Sequence, residues 1–523
     1  MNSIRSYLIQ TLLIFSLLSF PPLQSSQQEI SPCTIVLFGA TGDLAAKKLI
    51  PALYALKKDD RLPQNTSVIG FARKDFTSET FRNYCKQIAV PAGADETSWN
   101  AFSDTLYYVS SDFLDERGYD LLDETLKTID QKNEHKGNRL YFLATQPSSF
   151  QTVVQQLYEH ELLVENSEIW SRVMLEKPFG IDLPSAIELQ ETLKKFMADD
   201  QVYRIDHYLA KEGLQNLLVQ RFQNSWLEPI LNNQWVDRIQ ITMSEEIGIG
   251  TRASLWEETG ALRDSFQNHL LQMLALVAME PPQMNDSMHI ALEKTLVLNN
   301  LRAVPFDALN DHFIRGQYAS GIINGQDVVG YHEESGVAMD SSSETFVAAK
   351  LFIDTPRWLD VPFYLIGGKR LAKQVTEIAI VLKPSRLSPT YSQNIVFIRV
   401  QPNPGIYLKI QSKIPGLETL FATVSFGFNP DNYFQVKSPD AYKKLFYDAI
   451  AGERALFVEG EEQLAAWRYI DPILECWKQN GNKGIYRYPA GSWGPVESDL
   501  LFGNTGHQWL FLDNWTLPKR NLR

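Results

Sequence analysis

The segment from Thr34 to Leu44 reads TIVLFGATGDL and decides the first part of the fold. Its opening five residues form a short, mostly apolar run, typical of a strand buried on both faces. Gly39 and Gly42 then turn the chain, and Ala45 to Leu56 favours a helix that Pro51 should kink or break. A glycine turn between a strand and a helix lets the backbone approach a pyrophosphate. The segment therefore predicts a dinucleotide site, although it lacks the G-x-G-x-x-G fingerprint and such turns are also common structural punctuation.

Strand-like and helix-like segments alternate from this point to about residue 205. Further predicted strands are Ser67 to Ala72, Thr105 to Val109, Arg139 to Ala144 and Arg172 to Leu175. Strands that alternate with helices favour a parallel, doubly wound sheet. We therefore expect a Rossmann-like α/β coenzyme domain over residues 28–205.

The pattern changes from about Gln234 onward, where strand-like runs appear and the later ones are joined by links of hairpin length. These runs are Val236 to Glu245, Phe346 to Phe352, Val375 to Leu382, Ile395 to Gln401 and Ile406 to Gln411. Helices are expected near Ala261 to Met279 and near Asp440 to Ile450. The second part, residues 206–523, is therefore predicted to be a larger α+β domain built on a mainly antiparallel sheet.

Two basic residues follow the second predicted strand. Folds specific for NAD usually place an acid there, whereas an arginine accommodates the 2′-phosphate of NADP. This chain has Arg73 and Lys74 at that place, and Lys48 is available from the first helix. The pattern favours NADP over NAD, although Asp75 leaves some use of NAD open and basic pairs at strand ends are often only surface.

The stretch Arg204 to Glu212 places acidic, basic and aromatic side chains close together at the predicted domain boundary. We predict about two turns of helix here, on which His207 and Lys211 share a face and can converge on one anion. Asp206 would then stand at the N-cap, beside the positive end of the helix. We interpret this stretch as a seat for a phosphorylated ligand, with a polar, solvated helix start as the alternative.

Two further segments carry candidate reactive groups. Lys177 precedes a proline in the loop after the strand that ends at Leu175, where it could reach both a nicotinamide and a substrate, or simply leave the strand. Asp264 and His269 are polar residues in a segment that otherwise reads as a largely buried helix. A lone histidine on such a helix is more often a structural residue than a catalytic one.

Several of these segments resemble the glucose-6-phosphate dehydrogenase family. Arg204 to Glu212 is similar to its substrate-binding signature, with Ala210 where the family usually has glycine. Gly39 to Ala45 resembles its Gly-Ala-Ser/Thr-Gly-Asp-Leu-Ala motif, Arg263 to Gln272 its Arg-Asp-x-x-Gln-Asn-His-Leu-Leu-Gln motif, and Val361 to Leu371 its Val-Pro-Phe…Gly-Lys-x-Leu motif. The resemblance extends from about residue 30 to about residue 497.

The resemblance implies oxidation of C1 of glucose 6-phosphate by NADP, the first step of the oxidative pentose phosphate pathway. It assigns His269 as the base and Asp206 as the carboxylate behind it, which follows the logic of a catalytic triad. It assigns the substrate to His207, Tyr208, Lys211, Glu245, Asp264, Lys177 and Lys369. Members usually have a second base five positions beyond that last lysine; Gln374 stands there, and we assign its role to the adjacent Lys373. The implied coenzyme residues are Gly39, Thr41, Gly42, Asp43, Leu44, Lys48, Arg73 and Lys177.

Composition limits the other partners. The net charge of −13 and the pI near 5.2 argue against general binding of nucleic acid or anionic membranes. Cys33, Cys85 and Cys476 lie too far apart in sequence for a metal-ligand motif, so we predict no metal and a reducing compartment. The family resemblance implies a homodimer or homotetramer.

Residues 1–27 resemble the charged and apolar regions of a signal peptide. The alternative, which we favour, is a start codon placed too far upstream, because everything downstream reads as a cytoplasmic enzyme. Export remains the second interpretation. Two rival functions also remain: a sugar oxidoreductase of the glucose–fructose oxidoreductase type, in which Lys177 is the acid–base group, and a non-catalytic sensor that binds NADP.

Overall fold

The computed structural model describes residues 30–89, 95–134, 136–284, 286–385 and 393–514. The predicted leader over residues 1–27 lies outside the described residues. Two large sheets, each with its own helices, account for most of the described chain. The predicted fold class, a Rossmann-like coenzyme domain with a larger α+β domain, is confirmed.

The first sheet is parallel over six consecutive strands in the order β6-β5-β4-β1-β2-β3. These strands are β1 (Thr34–Phe38), β2 (Ser67–Ala72), β3 (Leu106–Ser110), β4 (Arg139–Leu143), β5 (Ser171–Leu175) and β6 (Val202–Ile205). Alternate side chains of β1 enter different cores: Ile35 and Leu37 pack on one face and Val36 and Phe38 on the other. Burial on both faces explains why this strand is a nearly continuous apolar run.

Helices cover both faces of this sheet. They are α1 (Ile50–Lys58), α2 (Ser78–Ala89), α3 (Glu96–Ser103), α4 (Glu116–Asn133), α5 (Phe150–Glu159) and α6 (Leu183–Phe196). No break occurs at Pro51, because the π-helix Ala45–Leu49 continues directly into α1, which begins at Ile50. Pro51 therefore coincides with a change from π-helical to α-helical hydrogen bonding.

The second sheet has the order β16-β15-β14-β13-β7-β12-β11-β8-β18. Only β7–β12 and β8–β18 are parallel among its described neighbours. The strands of this half are β7 (Val236–Ser244), β8 (Phe313–Ala319), β9 (Gly321–Ile323), β10 (Gln326–Val328), β11 (Phe346–Leu351), β12 (Phe363–Gly368), β13 (Val375–Leu382), β14 (Ile395–Gln401), β15 (Gly405–Lys413), β16 (Phe421–Phe428), β17 (Phe457–Val458) and β18 (Ile485–Pro489). β9 and β10 form a separate hairpin.

The α-helices of this half are α7 (Glu212–Phe222), α8 (Ala253–Ala261), α9 (Leu271–Ala278), α10 (Ser287–Asn299), α11 (Pro430–Phe434), α12 (Ala441–Ala451) and α13 (Gly460–Asn480). A π-helix, Leu262–Leu270, continues directly into α9. The helix predicted near Ala261 to Met279 is therefore present, but its first half is π-helical.

Late parts of the chain return to the first sheet. β17 pairs antiparallel with β6, which places a seventh strand at that edge. α12 packs against α1, and α13 packs against α6. The residues that follow β6 therefore lie between the two sheets, with helices of the C-terminal half around them.

Candidate active site

The glycine turn after β1 forms an open loop at the carboxyl end of the strand. Gly39 has φ +81°, a left-handed conformation that favours glycine, and a Cβ there would collide with the carbonyl of Ala144. The Gly42 N–H donates to the Gly39 carbonyl at 2.9 Å. Gly42 and Asp43 are exposed, and Thr41 and Leu44 are half-buried. The loop thus presents accessible backbone where the first helix begins, which suits a pyrophosphate.

Arg73 follows β2 directly and extends into solvent. Its side chain is 78% exposed, and its Nε lies 3.7 Å from Oδ2 of Asp112, which follows β3. The neighbouring Lys74 places its Nζ over the rings of Phe76 and Tyr84 at 5.7 and 5.2 Å. Sequence reasoning missed Asp112, although the ends of adjacent parallel strands meet at one edge.

Lys48 lies in a different contact group from Arg73. Its Nζ donates to Oδ2 of Asp440 at 3.2 Å, and Asp440 is the N-cap of α12. The same Asp440 carboxylate raises the pKa of Lys211, although burial of that lysine outweighs it and leaves the pKa lowered. The contacts therefore associate Lys48 with Lys211 rather than with the end of β2.

The stretch after β6 forms turns, so the prediction of a helix starting at Asp206 was wrong. Oδ1 of Asp206 accepts the Tyr208 N–H at 3.0 Å, and the Asp206 carbonyl accepts the Leu209 N–H at 3.0 Å. The aspartate thus satisfies nearby N–H groups in a turn, which competes with helix formation. The helix begins only at Glu212, with Lys211 in extended conformation at its N-cap.

This turn brings Asp206 to His269. Nδ1 of His269 lies 2.5 Å from Oδ1 of Asp206, and each side chain is only 2% exposed. The His269 N–H of the main chain is held by Oδ1 of Asn268 at 2.6 Å. Because Nδ1 faces the carboxylate, Nε2 is the ring nitrogen left for a substrate proton.

Burial and charge act in opposite directions on this pair. Burial lowers the pKa of His269 below its ordinary 6.5, and this outweighs the Asp206 carboxylate, which raises it. Burial would raise the pKa of Asp206, but the adjacent His269 lowers it to about 2. The carboxylate is therefore ionised at neutral pH and the imidazole is neutral, as a general base requires.

Asp264 shares the π-helix with His269 and reaches two lysines. Nζ of Lys177 donates to the Asp264 carbonyl at 2.5 Å and lies 3.5 Å from Oδ1 of its carboxylate. Nζ of Lys369 lies 3.7 Å from Oδ2 of Asp264 and is hydrogen-bonded to Oε2 of Glu245. Burial opposes ionisation of Asp264, yet Lys177 and Lys369 hold its pKa well below the usual range. Two lysines and two carboxylates thus alternate in one small group.

Aromatic rings surround the imidazole of His269. The ring centroids of His207 and Tyr208 lie 4.8 and 4.3 Å from it. Nζ of Lys211 lies 4.8 Å from the centroid of Tyr208, whose hydroxyl accepts a hydrogen bond from Gln401 at 3.0 Å. The predicted phosphate residues and the predicted base are therefore neighbours.

Two residues near this group were not predicted as site residues. The Tyr442 ring stacks parallel to His207 at 6.3 Å. Glu176 is buried, and burial raises its pKa to about 7 despite Tyr442 and Lys177, which lower it. Tyr442 lies within the part of the chain that the family resemblance covers, but its position next to His207 depends on the return of α12 to the first sheet.

The structure does not bring Lys373 into this group. Its side chain is 53% exposed, and its Nζ lies 3.4 Å from Oδ2 of Asp513. Asp513 also pairs with Arg399 at 2.7 Å. The contacts of Lys373 therefore lie with the C-terminal segment that crosses the second sheet, which gives its predicted substrate role no support.

Over the part of the chain that the structure describes, no helix combines the length and the apolar character needed to cross a membrane.

Comparison with known proteins covers nearly the whole chain. The family model "Glucose-6-phosphate dehydrogenase, NAD binding domain" matches residues 36–216, and the model "Glucose-6-phosphate dehydrogenase, C-terminal domain" matches residues 218–510. A glucose-6-phosphate 1-dehydrogenase of Chlamydia pneumoniae is 42% identical over 93% of this chain and 97% of its own. A glucose-6-phosphate 1-dehydrogenase 2 of Mycobacterium bovis is 40% identical over 91% of this chain and 94% of its own.

Solved structures agree with this result. A glucose-6-phosphate dehydrogenase in complex with its substrate glucose-6-phosphate superposes with a TM-score of 0.85 at 32% identity, covering 92% of this chain and 99% of its own. The glucose-6-phosphate 1-dehydrogenase of Mycobacterium avium gives a TM-score of 0.76 at 32% identity with the same coverage. The matches cover both halves of the fold and the residues between them, so the chain belongs to the glucose-6-phosphate dehydrogenase family.

Proposed function

We propose that His269 is the general base in the oxidation of glucose 6-phosphate at C1, with Asp206 orienting it and stabilising its protonated form. The family gives the reaction, in which hydride leaves C1 for NADP and the products are 6-phosphogluconolactone and NADPH. This is the first step of the oxidative pentose phosphate pathway. The observation that carries the role of His269 is its buried hydrogen bond to Asp206.

The proton chemistry follows from the geometry of the pair. As C1 is oxidised, the proton of its hydroxyl passes to Nε2 of His269, because Nδ1 already faces Asp206. The positive imidazolium that results lies beside an ionised carboxylate in a buried site, where the attraction between the two charges is strong. Asp206 also fixes the tautomer, so that Nε2 is free to accept.

The substrate phosphate is assigned to the basic side of the turn after β6. Lys211 and His207 stand there, and Lys48 joins them through Asp440. We therefore assign Lys48 to the sugar phosphate rather than to the coenzyme phosphate. Tyr208 contributes its ring to this wall, since its hydroxyl is engaged by Gln401.

The sugar hydroxyls are assigned to Glu245 and Asp264. Carboxylates accept hydrogen bonds from hydroxyl groups, and each of these two carboxylates has lysines beside it. Lys177 and Lys369 provide those positive charges. In the alternative sugar oxidoreductase, Lys177 would be the acid–base group; its hydrogen bond to the Asp264 carbonyl favours a positioning role instead.

The coenzyme fits the carboxyl end of the first sheet. Gly39 packs tightly against the Ala144 carbonyl, and the exposed Gly42 leaves backbone accessible to a pyrophosphate at the start of the first helix. Arg73 extends from the end of β2, where it would hold the 2′-phosphate. When bound, NADP supplies the acceptor for the hydride from C1.

A single set of assays tests this assignment. The purified protein should reduce NADP rapidly with glucose 6-phosphate and far more slowly with free glucose. His269→Asn should lower kcat by roughly 10²–10⁴-fold, with calorimetric affinity for glucose 6-phosphate changed only modestly. Turnover equal to the wild type in this variant would remove His269 as the base, and tight NADP binding without turnover in the wild type would favour the sensor.

Assembly and location are also proposals. A homodimer or homotetramer has a suitable contact surface at β15 and β16, where Phe421 and Phe426 are 44% and 56% exposed. Phe426→Asp should then reduce the mass measured by light scattering, and an unchanged mass would point to another surface. A cytoplasmic location agrees with Cys33, Cys85 and Cys476, which are all buried free thiols.

A further inference from the structure

The π-helix Leu262–Leu270 determines whether its two functional side chains face the same pocket. Asp264 and His269 are five residues apart, and in an α-helix such residues point about 140° apart around the axis. In a π-helix each N–H bonds to the carbonyl five residues earlier, so residues five apart lie much closer to one face than they do in an α-helix. π-helical turns are rare, so contacts from outside the helix are needed to hold this register.

At its beginning, the π-helix is capped by a carboxylate from outside the helix. Oε1 of Glu344 accepts the Leu262 N–H at 2.8 Å, and the Glu344 carbonyl accepts the Ala261 N–H at 2.9 Å. Gly260 precedes them with φ +59°, and a Cβ there would collide with the Glu344 carboxylate. Glu344 is 6% exposed. These contacts fix the residue at which the helical hydrogen bonding starts.

At its end, the π-helix is followed by Gln272 in the first turn of α9. Oε1 of Gln272 accepts a hydrogen bond from Nζ of Lys294 at 3.1 Å, and that Nζ lies 2.9 Å from Oε1 of Glu462. The side chains of Lys294 and Glu462 are 0% exposed. Fully buried ion pairs are weak contributors to stability, because desolvation offsets their attraction. A role in holding one specific arrangement is therefore a better reason for this pair.

Gln272 also lies close to the catalytic pair. It lines a cavity of about 20 Å³ together with Asp206 and Lys177. Gln272 is also within one helical turn of His269. A displacement of Gln272 would therefore move a wall of the cavity next to the catalytic pair.

We propose that Glu344, Lys294 and Glu462 are positioning residues that fix both ends of the helix and so hold the π register. The inference rests on the roles proposed above for Asp264 and His269. If one end is released and the helix relaxes to α, Asp264 rotates away from its lysines while His269 remains tied to Asp206. A misplacement of about 1 Å in such a site can lower the rate by roughly 10²-fold.

The test at the first end compares two substitutions of Glu344. Glu344→Ala removes the cap, and we expect kcat to fall at least tenfold while the dissociation constant for NADP stays within about threefold. Glu344→Gln keeps an oxygen that can accept the Leu262 N–H, so it should restore kcat to within about threefold of the wild type. Hydrogen exchange of residues 262–270 should be faster in Glu344→Ala and near wild type in Glu344→Gln.

Two results at this end would overturn the proposal. Wild-type turnover in Glu344→Ala would show that the cap does not position the helix. Equal losses in Glu344→Ala and Glu344→Gln would show that the charge, and not the cap, matters.

The test at the second end uses Lys294→Met/Glu462→Leu, which replaces the ion pair with apolar side chains of similar size and leaves Gln272 without these partners. We expect kcat at least tenfold lower, with the dissociation constant for NADP within about threefold of the wild type, because the coenzyme domain stays folded. Retained stability with wild-type turnover would overturn the proposal at this end. His269→Asn, measured in parallel, distinguishes failure of the proposed base from failure of the positioning residues. If His269→Asn has wild-type turnover, the assignment of His269 as the base fails. If His269→Asn is inactive while Glu344→Ala has wild-type turnover, only the positioning role fails.

Discussion

Asp206 offers one carboxylate oxygen to His269 and keeps the other apart from it. Oδ1 lies 2.5 Å from Nδ1 of the imidazole, whereas Oδ2 is buried and has no hydrogen-bond partner among the described residues. The carboxylate therefore holds the imidazole through a single short hydrogen bond.

Asp206→Asn should lower kcat by roughly 10³-fold or more, because an amide can favour the wrong tautomer and cannot stabilise the imidazolium. Steady-state turnover with saturating glucose 6-phosphate and NADP measures the effect. Asp448→Asn is a matched control, since Asp448 is also buried but pairs with Lys444 in α12. A loss no larger than that of the control would contradict the role of Asp206.

The pH dependence of kcat/KM should report a base with a lowered pKa. Because burial lowers the pKa of His269, its neutral, active form persists below pH 6.5. The rate should rise with pH and reach half of its plateau below pH 6.5. In Asp206→Asn the residual activity should show this limb at still lower pH, because the carboxylate that raises the pKa is gone. A limb in the wild type well above pH 6.5 would exclude this assignment.

Glu176→Gln should stabilise the protein more at pH 8 than at pH 5. Burial raises the pKa of Glu176 from 4.5 to about 7, so the folded protein loses stability as pH rises from 4.5 through 7. The upper limit of this loss is about 3 kcal/mol, and a neutral glutamine avoids it. Thermal midpoints at both pH values measure the difference. Glu188→Gln, at an exposed position of α6, should show no such pH dependence; a parallel response in both variants would rule the explanation out.

Arg73→Ala should change the choice of coenzyme. Charged hydrogen bonds contribute about 1.5–3 kcal/mol, so kcat/KM with NADP should fall roughly 10–100-fold while the value with NAD stays similar. The ratio of the two values is the measurement, and the exposed Arg61→Ala serves as the control. An unchanged ratio would remove Arg73 from the 2′-phosphate site.

Lys211→Ala and Lys48→Ala should both raise KM for glucose 6-phosphate and leave the dissociation constant for NADP nearly unchanged. The expected increase is roughly 10–100-fold for the half-buried Lys211. It should be smaller for the exposed Lys48, because solvent screens its contribution. Lys58→Ala, exposed at the end of α1, is the matched control. If Lys48→Ala instead weakens NADP and spares the sugar phosphate, the original assignment of Lys48 to the coenzyme is correct.

The regular parts of the fold were predictable because local pattern and burial agree. β1, β2 and β4 are apolar runs buried on both faces, so their bounds were predicted to within one residue. β17 has two residues and no pattern of its own, and β12 was quoted only as a family motif. These strands depend on partners far away in the chain.

The site was predictable where its residues belong to a family motif. It was less predictable where contacts with neighbouring residues determine the backbone conformation. His269 and Asp206 were named together from the resemblance, and the structure brings them together. The helix predicted at Asp206 failed because its side chain and carbonyl close a turn. The composition of Leu262–Leu270 does not distinguish a π-helix from an α-helix. The contacts near its two ends come from residues of other elements, which the local sequence does not reveal.

The pairing of β17 with β6 has a consequence for the order in which the chain can mature during synthesis. A nascent chain exposes β6 and the turn that follows it long before Phe457 and Val458 leave the ribosome. Until then, one edge of the first sheet has no partner strand, and unpaired edges invite association with other chains. The half of the protein that is translated first is therefore completed by a segment that is translated near the end.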